Sequence, residues 1–326
     1  MNAPSFPAAQ CSPPRVSVVI PFYNGGDRLG ATLQRVYAQT FTDFEVIVVD
    51  DGSTQVEAGK LARLAAAFPI ATLRQANSGP AAARNTGLRA ARGEIVALLD
   101  ADDLWEPQKL GLQVGAFEGD PDLTVCVHDS STVDARGNTV SLNRFSRLGE
   151  TTGEFARAVL WNQVHSITSS LACRKSAAAE IAGMNAQLRF REDHAFLIDL
   201  MAHGKLARLD QVLSSRVIHA ESYSHSSRSD YVARKRYWDE KFFSHVAGRF
   251  DRETLQRARE AALEHTAVND VIMGRRGRAA WSMLEALVRG NSGLRPLKVL
   301  AAAAVSVFRP SLLDRKDPTL AQRRQA

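Results

Sequence analysis

The stretch IVALLDADD, residues 95–103, decides the fold. Its first residues are apolar or small and predict a buried β-strand, which ends abruptly in the carboxylates Asp100, Asp102 and Asp103. Open α/β sheets bind their ligands outside the carboxyl ends of the strands. Carboxylates packed this closely repel one another unless a cation neutralises them, and Mg²⁺ or Mn²⁺ completes its shell with substrate phosphates. The stretch predicts a site for a divalent metal and a diphosphate; an acidic loop that caps the next helix is the alternative.

In the residues before this stretch, short β-rich runs alternate with helical patterns. Three further runs predict strands, namely VSVVI (16–20), EVIVV (45–49) and IATLR (70–74). Helices are predicted over residues 27–40, 60–68 and 80–91. This alternation is typical of a doubly wound sheet. The predicted fold class is α/β, with a Rossmann-like, mostly parallel sheet flanked by helices.

The pattern loosens from residue 123 onward. The later predictions are a strand at LTVCVHD (123–129), a turn at 134–138, a helix at 153–161, an extended segment at 167–173 and an amphipathic helix at 192–202. Past residue 227 the sequence predicts helices only, and we place a domain boundary there.

Composition and charge narrow the class of protein. At 326 residues, with 45% hydrophobic and 23% charged residues, the chain is typical of a globular protein. Cys11, Cys126 and Cys173 have neither a metal-binding nor a disulfide spacing, which suits a reducing cytoplasm. The Pro-rich residues 1–14 predict a disordered leader rather than a signal peptide.

The net charge of +6 is unevenly distributed. From Arg228 onward there are 20 Lys and Arg against 11 Asp and Glu, whereas the first 227 residues have 21 against 24. The basic excess predicts an anionic partner, with a membrane surface or a nucleic acid as candidates. We do not expect nucleic acid, because no recognised motif accompanies the charge.

Other polar segments are predicted to meet the acidic strand end. They are Pro21-Phe22-Tyr23-Asn24, Asp50-Asp51-Gly52-Ser53, Asn77-Ser78-Gly79-Pro80 with Arg84 and Asn85 on the helix that follows, and Arg191-Glu192-Asp193-His194. Carboxylates at a strand end can accept hydrogen bonds from a base or a ribose, and a helix N-terminus beside an arginine can bind a diphosphate. Each segment alone fits a blander interpretation, namely a helix-capping turn or carboxylates interacting with a helix dipole.

Together and in this order, the segments resemble the family-2 glycosyltransferases, whose nucleotide-binding fold is called GT-A. The resemblance is carried by VSVVIPFYN (16–24), FEVIVVDDGS (44–53), NSGPAAARNTGLRAARGEIVALLDADD (77–103), FREDHAFLIDL (190–200) and RVIHAES (216–222). It covers about residues 15–225 and is specific for the family, but it does not identify the substrate.

The resemblance implies roles for particular residues. The implied donor-binding residues are Asp51 for the base, typically uracil, Pro21, Tyr23 and Asn24 for the nucleoside, Arg84 for the diphosphate, Asp100 for the ribose and metal, and His219 for the metal or a phosphate. Asp102, together with Asp100, would bind Mn²⁺ or Mg²⁺, and Asp193 would be the catalytic base. Ser169 and Ser170 would lie close to the donor sugar.

It also implies a domain organisation. Residues 15–227 would form the GT-A catalytic domain, with a nucleotide-binding half (15–127) and an acceptor half (128–227). Residues 228–326 would form a basic helical C-terminal region. Its apolar core, Val299–Phe308, is shorter than the ~18 residues that a membrane span needs. A helix at an anionic membrane surface and a helix packed on the catalytic domain both fit it.

The expected function is metal-dependent, inverting transfer of a sugar from a nucleotide sugar, expected to be UDP-linked, to an acceptor hydroxyl. The expected setting is surface polysaccharide or glycolipid synthesis in the cytoplasm, free or at the inner face of the cell membrane. Processive synthases carry Gln-x-x-Arg-Trp, which Arg236-Tyr237-Trp238 does not match, so we expect single transfers.

Other functions fit less well. A sugar-nucleotide nucleotidyltransferase needs a Gly-rich, Arg-bearing loop after the first strand, and a nicotinamide oxidoreductase needs G-x-G-x-x-G there; PFYNGGD (21–27) supplies neither. A degenerate protein that only binds sugar nucleotides or acts as a scaffold is the non-enzyme alternative. The joint presence of Asp51, Asp102 and Asp193 argues against it.

Overall fold

The computed structural model describes residues 12–164, 167–218 and 228–272. These residues group into two compact units that divide between residues 226 and 227.

The first half of the larger unit is a parallel sheet. Its strands are β1 (Val16–Phe22), β2 (Phe44–Asp50), β3 (Ile70–Arg74) and β4 (Ile95–Leu98), which pair in the order β3-β2-β1-β4. The helices of this half are α1 (Gly26–Tyr37), α2 (Gln55–Ala67), α3 (Pro80–Ala90) and α4 (Lys109–Gly119). The predicted strands and helices of this half are confirmed, with boundaries that shift by a few residues.

Local chemistry explains these elements. Strands β1, β2 and β4 are rich in Val, Ile and Leu and are mostly buried, as expected for a parallel sheet covered on both faces. The edge strand β3 buries only Ile70 and Ala71. Helix α1 buries Leu29, Leu33 and Val36 on one side. Helix α2 begins after Thr54, whose hydroxyl accepts a hydrogen bond from the backbone N–H of Glu57.

The second half adds antiparallel strands, so the sheet as a whole is mixed. The strands are β5 (Asp103–Trp105), β6 (Leu123–Val133), β7 (Thr139–Asn143), β8 (Ala172–Arg174) and β9 (Lys205–Val217), and the helices are α5 (Thr152–Leu160), α6 (Lys175–Glu180) and α7 (Glu192–Met201). The sheet continues from β4 as β4-β8-β6-β9-β5, with β7 paired to β6. Strand β8 is antiparallel to both its neighbours, β9 is parallel to β6, and β5 is antiparallel to β9.

The prediction of one extended segment over residues 167–173 is wrong in its first part. Residues Thr168–Ser170 form a short 3₁₀ turn, and the strand begins only at Ala172. The Ser170 hydroxyl and backbone N–H both donate to the carbonyl of Ile167, at 2.7 and 2.9 Å. Such local side-chain bonds offer the backbone an alternative to a sheet ladder.

The smaller unit is helical where it is described. Helices α8 (Arg228–Val246) and α9 (Arg252–Ile272) confirm the prediction for these residues. Residues 273–326, with the apolar core Val299–Phe308, lie outside the described residues. Among the helices that are described, none is long and apolar enough to cross a membrane.

Candidate active site

A cleft of about 620 Å³ opens at the carboxyl ends of β1, β2 and β4. The structure brings most of the predicted site residues to it, namely Pro21, Tyr23, Asn24, Asp51, Arg84, Asp100, Asp102 and Asp193. Ser169 also lines the cleft. His219 lies outside the described residues. The residues come from separate parts of the sequence and meet because parallel strands end at one edge of the sheet.

Asp51 is a buried carboxylate that follows β2. Its Oδ1 accepts hydrogen bonds from the side-chain amide of Gln75 (2.7 Å) and the N–H of Ser78 (2.9 Å), and its Oδ2 accepts one from the N–H of Gly79 (2.8 Å). A carboxylate has about four acceptor positions, so Oδ2 retains one for a ligand N–H. The amides of Ser78 and Gly79, just before α3, therefore bind Asp51.

The loop after β1 presents an aromatic ring and a fixed amide. Tyr23 is 55% exposed. Asn24 has a left-handed backbone (φ 51°), which asparagine tolerates better than most residues. It is bonded to the loop after β2, because its N–H donates to Ser53 Oγ and its Oδ1 accepts from the N–H of Thr54, both at 3.0 Å. The loops after β1 and β2 are thus hydrogen-bonded to each other at the cleft.

The three carboxylates after β4 have different surroundings. Asp103 is buried, and its Oδ2 accepts a hydrogen bond of 2.5 Å from Ser169 Oγ. Burial, with the charges of Asp100 and Asp102, raises the pKa of Asp103 well above its usual value. Asp100 is held through its backbone, since its N–H donates to Ser169 Oγ at 3.1 Å. Asp103 is thus turned away from the other two carboxylates toward Ser169, and Asp100 and Asp102 remain the candidate metal ligands.

The carboxylates of Asp100 and Asp102 suit a hard divalent cation. Within the described part of the chain there is no group of three or more His, Cys, Asp or Glu side chains that could hold a metal ion on its own. Mg²⁺ and Mn²⁺ are usually bound through one or two carboxylates plus substrate phosphates. Asp100 and Asp102 match that pattern, because they supply two carboxylates at the edge of a cleft large enough for a nucleotide.

Arg84 forms ion pairs with Asp100 and with Glu192 on α7. It is 4% exposed, its Nη2 donates to Asp100 Oδ1 (2.7 Å) and its Nη1 donates to Glu192 Oε1 (3.1 Å). Burial alone would lower the pKa of Arg84, but the charges of Asp100 and Glu192 outweigh burial and raise it. Arg84 is thus a permanent cation between two carboxylates, close to where the sequence predicts a diphosphate.

The Glu192–Asp193 pair at the start of α7 carries two unlike carboxylates. Burial, and then the charge of Asp193, raises the pKa of Glu192 to about 7. Burial acts on Asp193 in the same direction, but the adjacent His194 and Arg84 outweigh it and lower the pKa of Asp193. Asp193 Oδ1 is bonded to the N–H and Nδ1 of His194 (2.8 and 2.9 Å), and its Oδ2 accepts from Thr168 Oγ1 at 3.3 Å.

The residue before this pair has an unusual backbone. Arg191 adopts a left-handed conformation (φ 61°, ψ 22°), which costs a non-glycine residue about 1–2 kcal/mol. Strained positions of this kind cluster at functional sites. The side chain of Arg191 donates to the carbonyls of Val159 (3.0 Å) and Leu160 (2.7 Å) at the end of α5.

Sequence reasoning missed several cleft residues. Arg28, Arg189 and Arg216 line the cleft and add positive charge beside its carboxylates. Arg28 had a readable signal, since it lies in the first turn of the helix that follows β1. Arg216 belongs to the segment RVIHAES (216–222) that carries the family resemblance, although no role was expected of it alone. Arg189 had no signal, because only the folded chain brings the loop before α7 to the cleft.

Comparison with protein families and curated sequences gives a consistent result. The model of the family described as "Glycosyl transferase family 2" matches residues 17–181, about half of the chain. An uncharacterized glycosyltransferase of Nostoc sp. is 31% identical over 222 residues, which are 66% of this chain and 68% of that protein. The succinoglycan biosynthesis protein ExoW of Rhizobium meliloti is 45% identical over 101 residues, 29% of this chain and 32% of that protein.

Solved structures share the fold. S. aureus TarS 1-349 in complex with UDP-GlcNAc has a TM-score of 0.61 at 17% identity, covering 84% of this chain and 81% of that one. The mannosyltransferase PcManGT from Pyrobaculum calidifontis, in complex with GDP-Man and Mn²⁺, has a TM-score of 0.57 at 19% identity, covering 95% and 85%. At such identities the likeness shows the architecture, and it confirms the GT-A fold.

Proposed function

Because the chain belongs to the family-2 glycosyltransferases, we propose that it transfers a sugar from a UDP-linked donor to an acceptor hydroxyl, with inversion and with Mn²⁺ or Mg²⁺. The observation that carries the proposal is the convergence of Asp51, Asp102 and Asp193 on one cleft. They come from the ends of two strands and the start of a helix, and they supply an acceptor for a base, a ligand for a metal and a candidate proton acceptor.

The nucleotide end of the cleft favours a base with one N–H between acceptors, such as uracil. Asp51 Oδ2 has one acceptor position left beside the N–H of Gly79. The exposed ring of Tyr23 offers a face on which a base can stack. TarS, which shares the fold, binds UDP-GlcNAc, whereas PcManGT binds GDP-Man, so a guanine nucleotide is the competing donor.

The diphosphate end combines carboxylates with arginines. A divalent metal bound by Asp102 and Asp100 would stabilise the negative charge on the departing nucleoside diphosphate. Arg84 fixes the carboxylate of Asp100 for that task through its 2.7 Å ion pair. Arg28 and Arg216, which line the same cleft, are placed to neutralise phosphate oxygens.

Asp193 is the proposed base. Its Oδ1 is occupied by His194, so Oδ2, beside Thr168, is the oxygen available to an acceptor hydroxyl. As the acceptor oxygen forms a bond to C1, the bond from C1 to the diphosphate oxygen breaks and its electron pair leaves with the diphosphate. The hydroxyl proton passes to Asp193 across a hydrogen bond of roughly 2.6–3.2 Å. A single displacement of this kind inverts the anomeric centre.

A thermal-shift panel tests the donor proposal. The panel contains UDP-glucose, UDP-galactose, UDP-N-acetylglucosamine, UDP-N-acetylgalactosamine, GDP-mannose, UDP and GDP, each with and without Mn²⁺. We expect stabilisation by UDP and one UDP-sugar only when Mn²⁺ is present, because a ligand that binds the native state alone raises the melting temperature. Stabilisation by guanine nucleotides alone would contradict the UDP proposal, and a flat panel would favour the degenerate alternative.

The acceptor proposal rests on charge. We propose that residues 228–326, with 20 Lys and Arg against 11 Asp and Glu, attract an anionic membrane surface where a lipid-linked or polysaccharide acceptor is found. The similarity to a succinoglycan biosynthesis protein supports a polysaccharide product. Deleting residues 290–326 should abolish co-sedimentation with phosphatidylglycerol vesicles, while phosphatidylcholine vesicles serve as the control. Undiminished co-sedimentation would contradict the proposal.

A further inference from the structure

The Glu192–Asp193 pair is flanked on both sides by residues that bond to one neighbouring segment. Arg191 contacts the carbonyls of Val159 and Leu160, and His194 contacts the carbonyl of Val164. These carbonyls belong to residues 159–164, which comprise the end of α5 and the loop after it. The start of α7 is therefore anchored at two points that enclose the proposed base.

Arg191 combines a strained backbone with a specific side-chain contact. A glycine at this position would adopt the left-handed conformation without strain, yet the chain has an arginine with φ 61°. Its guanidinium donates to carbonyls at the last turn of α5, where the helix has acceptors without intrahelical partners and where a positive charge is favoured. The backbone carbonyl of Arg191 also accepts the first hydrogen bond of α7, from the N–H of Ala195 at 2.9 Å.

His194 anchors the same turn from the other side. Its Nε2–H donates to the carbonyl of Val164 at 3.0 Å, while Nδ1 lies 2.9 Å from Asp193 Oδ1. Both ring nitrogens of His194 thus face oxygen atoms of neighbouring groups. The ring therefore holds one carboxylate oxygen of Asp193 and leaves the other toward Thr168 and the cleft.

We infer that Arg191 and His194 are positioning residues that fix Asp193 by fastening the start of α7 to residues 159–164. The inference rests on the proposed function, in which Asp193 is the base. Neither residue needs to touch the donor. Their removal should therefore lower turnover while donor affinity is kept, because a base displaced by about 1 Å can cost on the order of 100-fold in rate.

The experiment compares four variants in the full chain. Arg191→Ala loses the side-chain contacts and keeps the backbone strain, Arg191→Gly loses both, and Arg191→Lys keeps a cation near the carbonyls. For His194, Gln places an amide nitrogen near the position of Nε2. Arg136→Ala, at an exposed turn residue outside the cleft, is the matched control.

Three measurements are made on each variant. They are hydrogen–deuterium exchange of the peptide covering residues 188–201, the dissociation constant of UDP with Mn²⁺ by calorimetry, and kcat and KM for UDP release from the panel donor that the wild type turns over fastest. We expect faster exchange and a kcat about 10- to 100-fold lower for both Arg191→Ala and Arg191→Gly. The dissociation constant of UDP should stay within about threefold.

Arg191→Lys and His194→Gln test whether partial anchoring gives intermediate exchange and kcat. Arg191→Lys and His194→Gln should fall between the wild type and Arg191→Ala, since each keeps one anchoring contact. Arg191→Gly should melt at a higher temperature than Arg191→Ala, yet share its low kcat, which a purely structural role would not produce. Wild-type exchange and kcat in Arg191→Gly would overturn the inference.

Failure of the proposed function would give different results from failure of this inference. It would appear as a wild type that turns over no panel donor, or as full turnover by Asp193→Asn. The exchange measurement on residues 188–201 needs no ligand, so it tests the anchoring separately in either case.

Discussion

Asp102 is one of the two carboxylates, with Asp100, to which we assign the metal. Replacing Asp102 with Asn removes a negative charge and keeps the shape of the side chain. Loss of a residue that only hydrogen-bonds to a metal ligand costs roughly 10- to 100-fold in metal affinity. Loss of a ligand should cost more, so Mn²⁺-dependent binding of UDP should weaken by more than about 100-fold. Calorimetry of UDP with and without Mn²⁺ measures this. Asp122→Asn, an exposed aspartate outside the cleft, should bind as the wild type does. Equal binding by both variants would remove Asp102 from the metal site.

Amide substitutions can distinguish which of Glu192 and Asp193 is the base. The pKa of Glu192, about 7, is close to the ideal for a general base, whereas that of Asp193 is lowered. Glu192, however, is bonded to Arg84, and an amide oxygen in Glu192→Gln can keep that contact. We therefore expect Glu192→Gln to retain kcat within about tenfold and Asp193→Asn to lose about 10²- to 10⁴-fold. The reverse order in steady-state assays would transfer the role to Glu192.

Contiguous motifs made part of the site predictable at the residue scale. Asp51 and Asp102 follow the ends of parallel strands, so their common edge follows from sheet geometry. Asp193 opens a helix, and only the family resemblance implied that it joins them. The inward turn of Asp103 toward Ser169 was not predictable, because the two residues are 66 positions apart and meet only through packing. The left-handed backbone of Arg191 left no signal either, since the position carries no glycine or asparagine.

Among the elements, α3 approaches β1 closely because Gly87 has no side chain. A Cβ at Gly87 would lie 2.3 Å from Cγ1 of the buried Val19. Gly87→Ala should therefore lower the free energy of unfolding by about 1–3 kcal/mol. Gly59→Ala on α2 is the matched control: a Cβ there meets nothing within 4 Å, and the free energy should rise by up to about 1 kcal/mol.

Urea unfolding of both glycine variants measures these changes. The double variant Gly87→Ala with Val19→Ala should lose less free energy of unfolding than the two single variants added together, because the two side chains compete for one space. Equal stability of Gly87→Ala and the wild type would show that α3 can move away from β1 without cost. Such tolerance would also weaken the view that α3 holds Arg84 rigidly between Asp100 and Glu192.

Periodicity predicted the helices and the parallel strands well, and the short elements poorly. Strands of seven residues such as β1 and β2 carry enough β-branched residues to be recognised. The 3₁₀ turn at Thr168–Ser170 and the three-residue strand β8 have no comparable pattern. Their conformation is set by hydrogen bonds to β4, β6 and the acidic loop, which are tertiary contacts.

For the larger unit as a whole, the sequence predicts the parallel half of the sheet and not the mixed half. Alternating strands and helices predict parallel pairing with right-handed crossovers, and strands β1–β4 do pair in parallel. Nothing comparable dictates that β9 lies between β6 and β5, because these pairings join segments far apart in the sequence. The cleft residues Arg189 and Arg216 come from that second half, which is why they were the hardest to predict.

Stability of the whole unit should depend on pH through one buried lysine. Lys109 is completely buried; its Nζ donates to Gln113 Oε1 at 2.7 Å and lies 3.7 Å from the centre of the Trp105 ring. Burial lowers the pKa of Lys109 to about 7. In the unfolded chain the ordinary pKa is 10.5, so between about pH 7 and pH 10 the unfolded state binds one more proton than the folded state.

Stability conferred by this site must therefore rise with pH over that interval and fall as the pH drops toward 7. The difference in free energy of unfolding between the wild type and Lys109→Met isolates the effect, since the other groups titrate in both proteins. For each unit by which the pH rises between about 7 and 10, we expect this difference to shift in favour of the wild type by up to about 1.4 kcal/mol. For the exposed Lys205, whose ion pairs with Asp120 and Asp122 raise its pKa, the difference from Lys205→Met should stay flat up to about pH 9.5. A flat difference for Lys109 as well would mean that the buried ammonium keeps its proton, with water or a rearranged Gln113 compensating the charge.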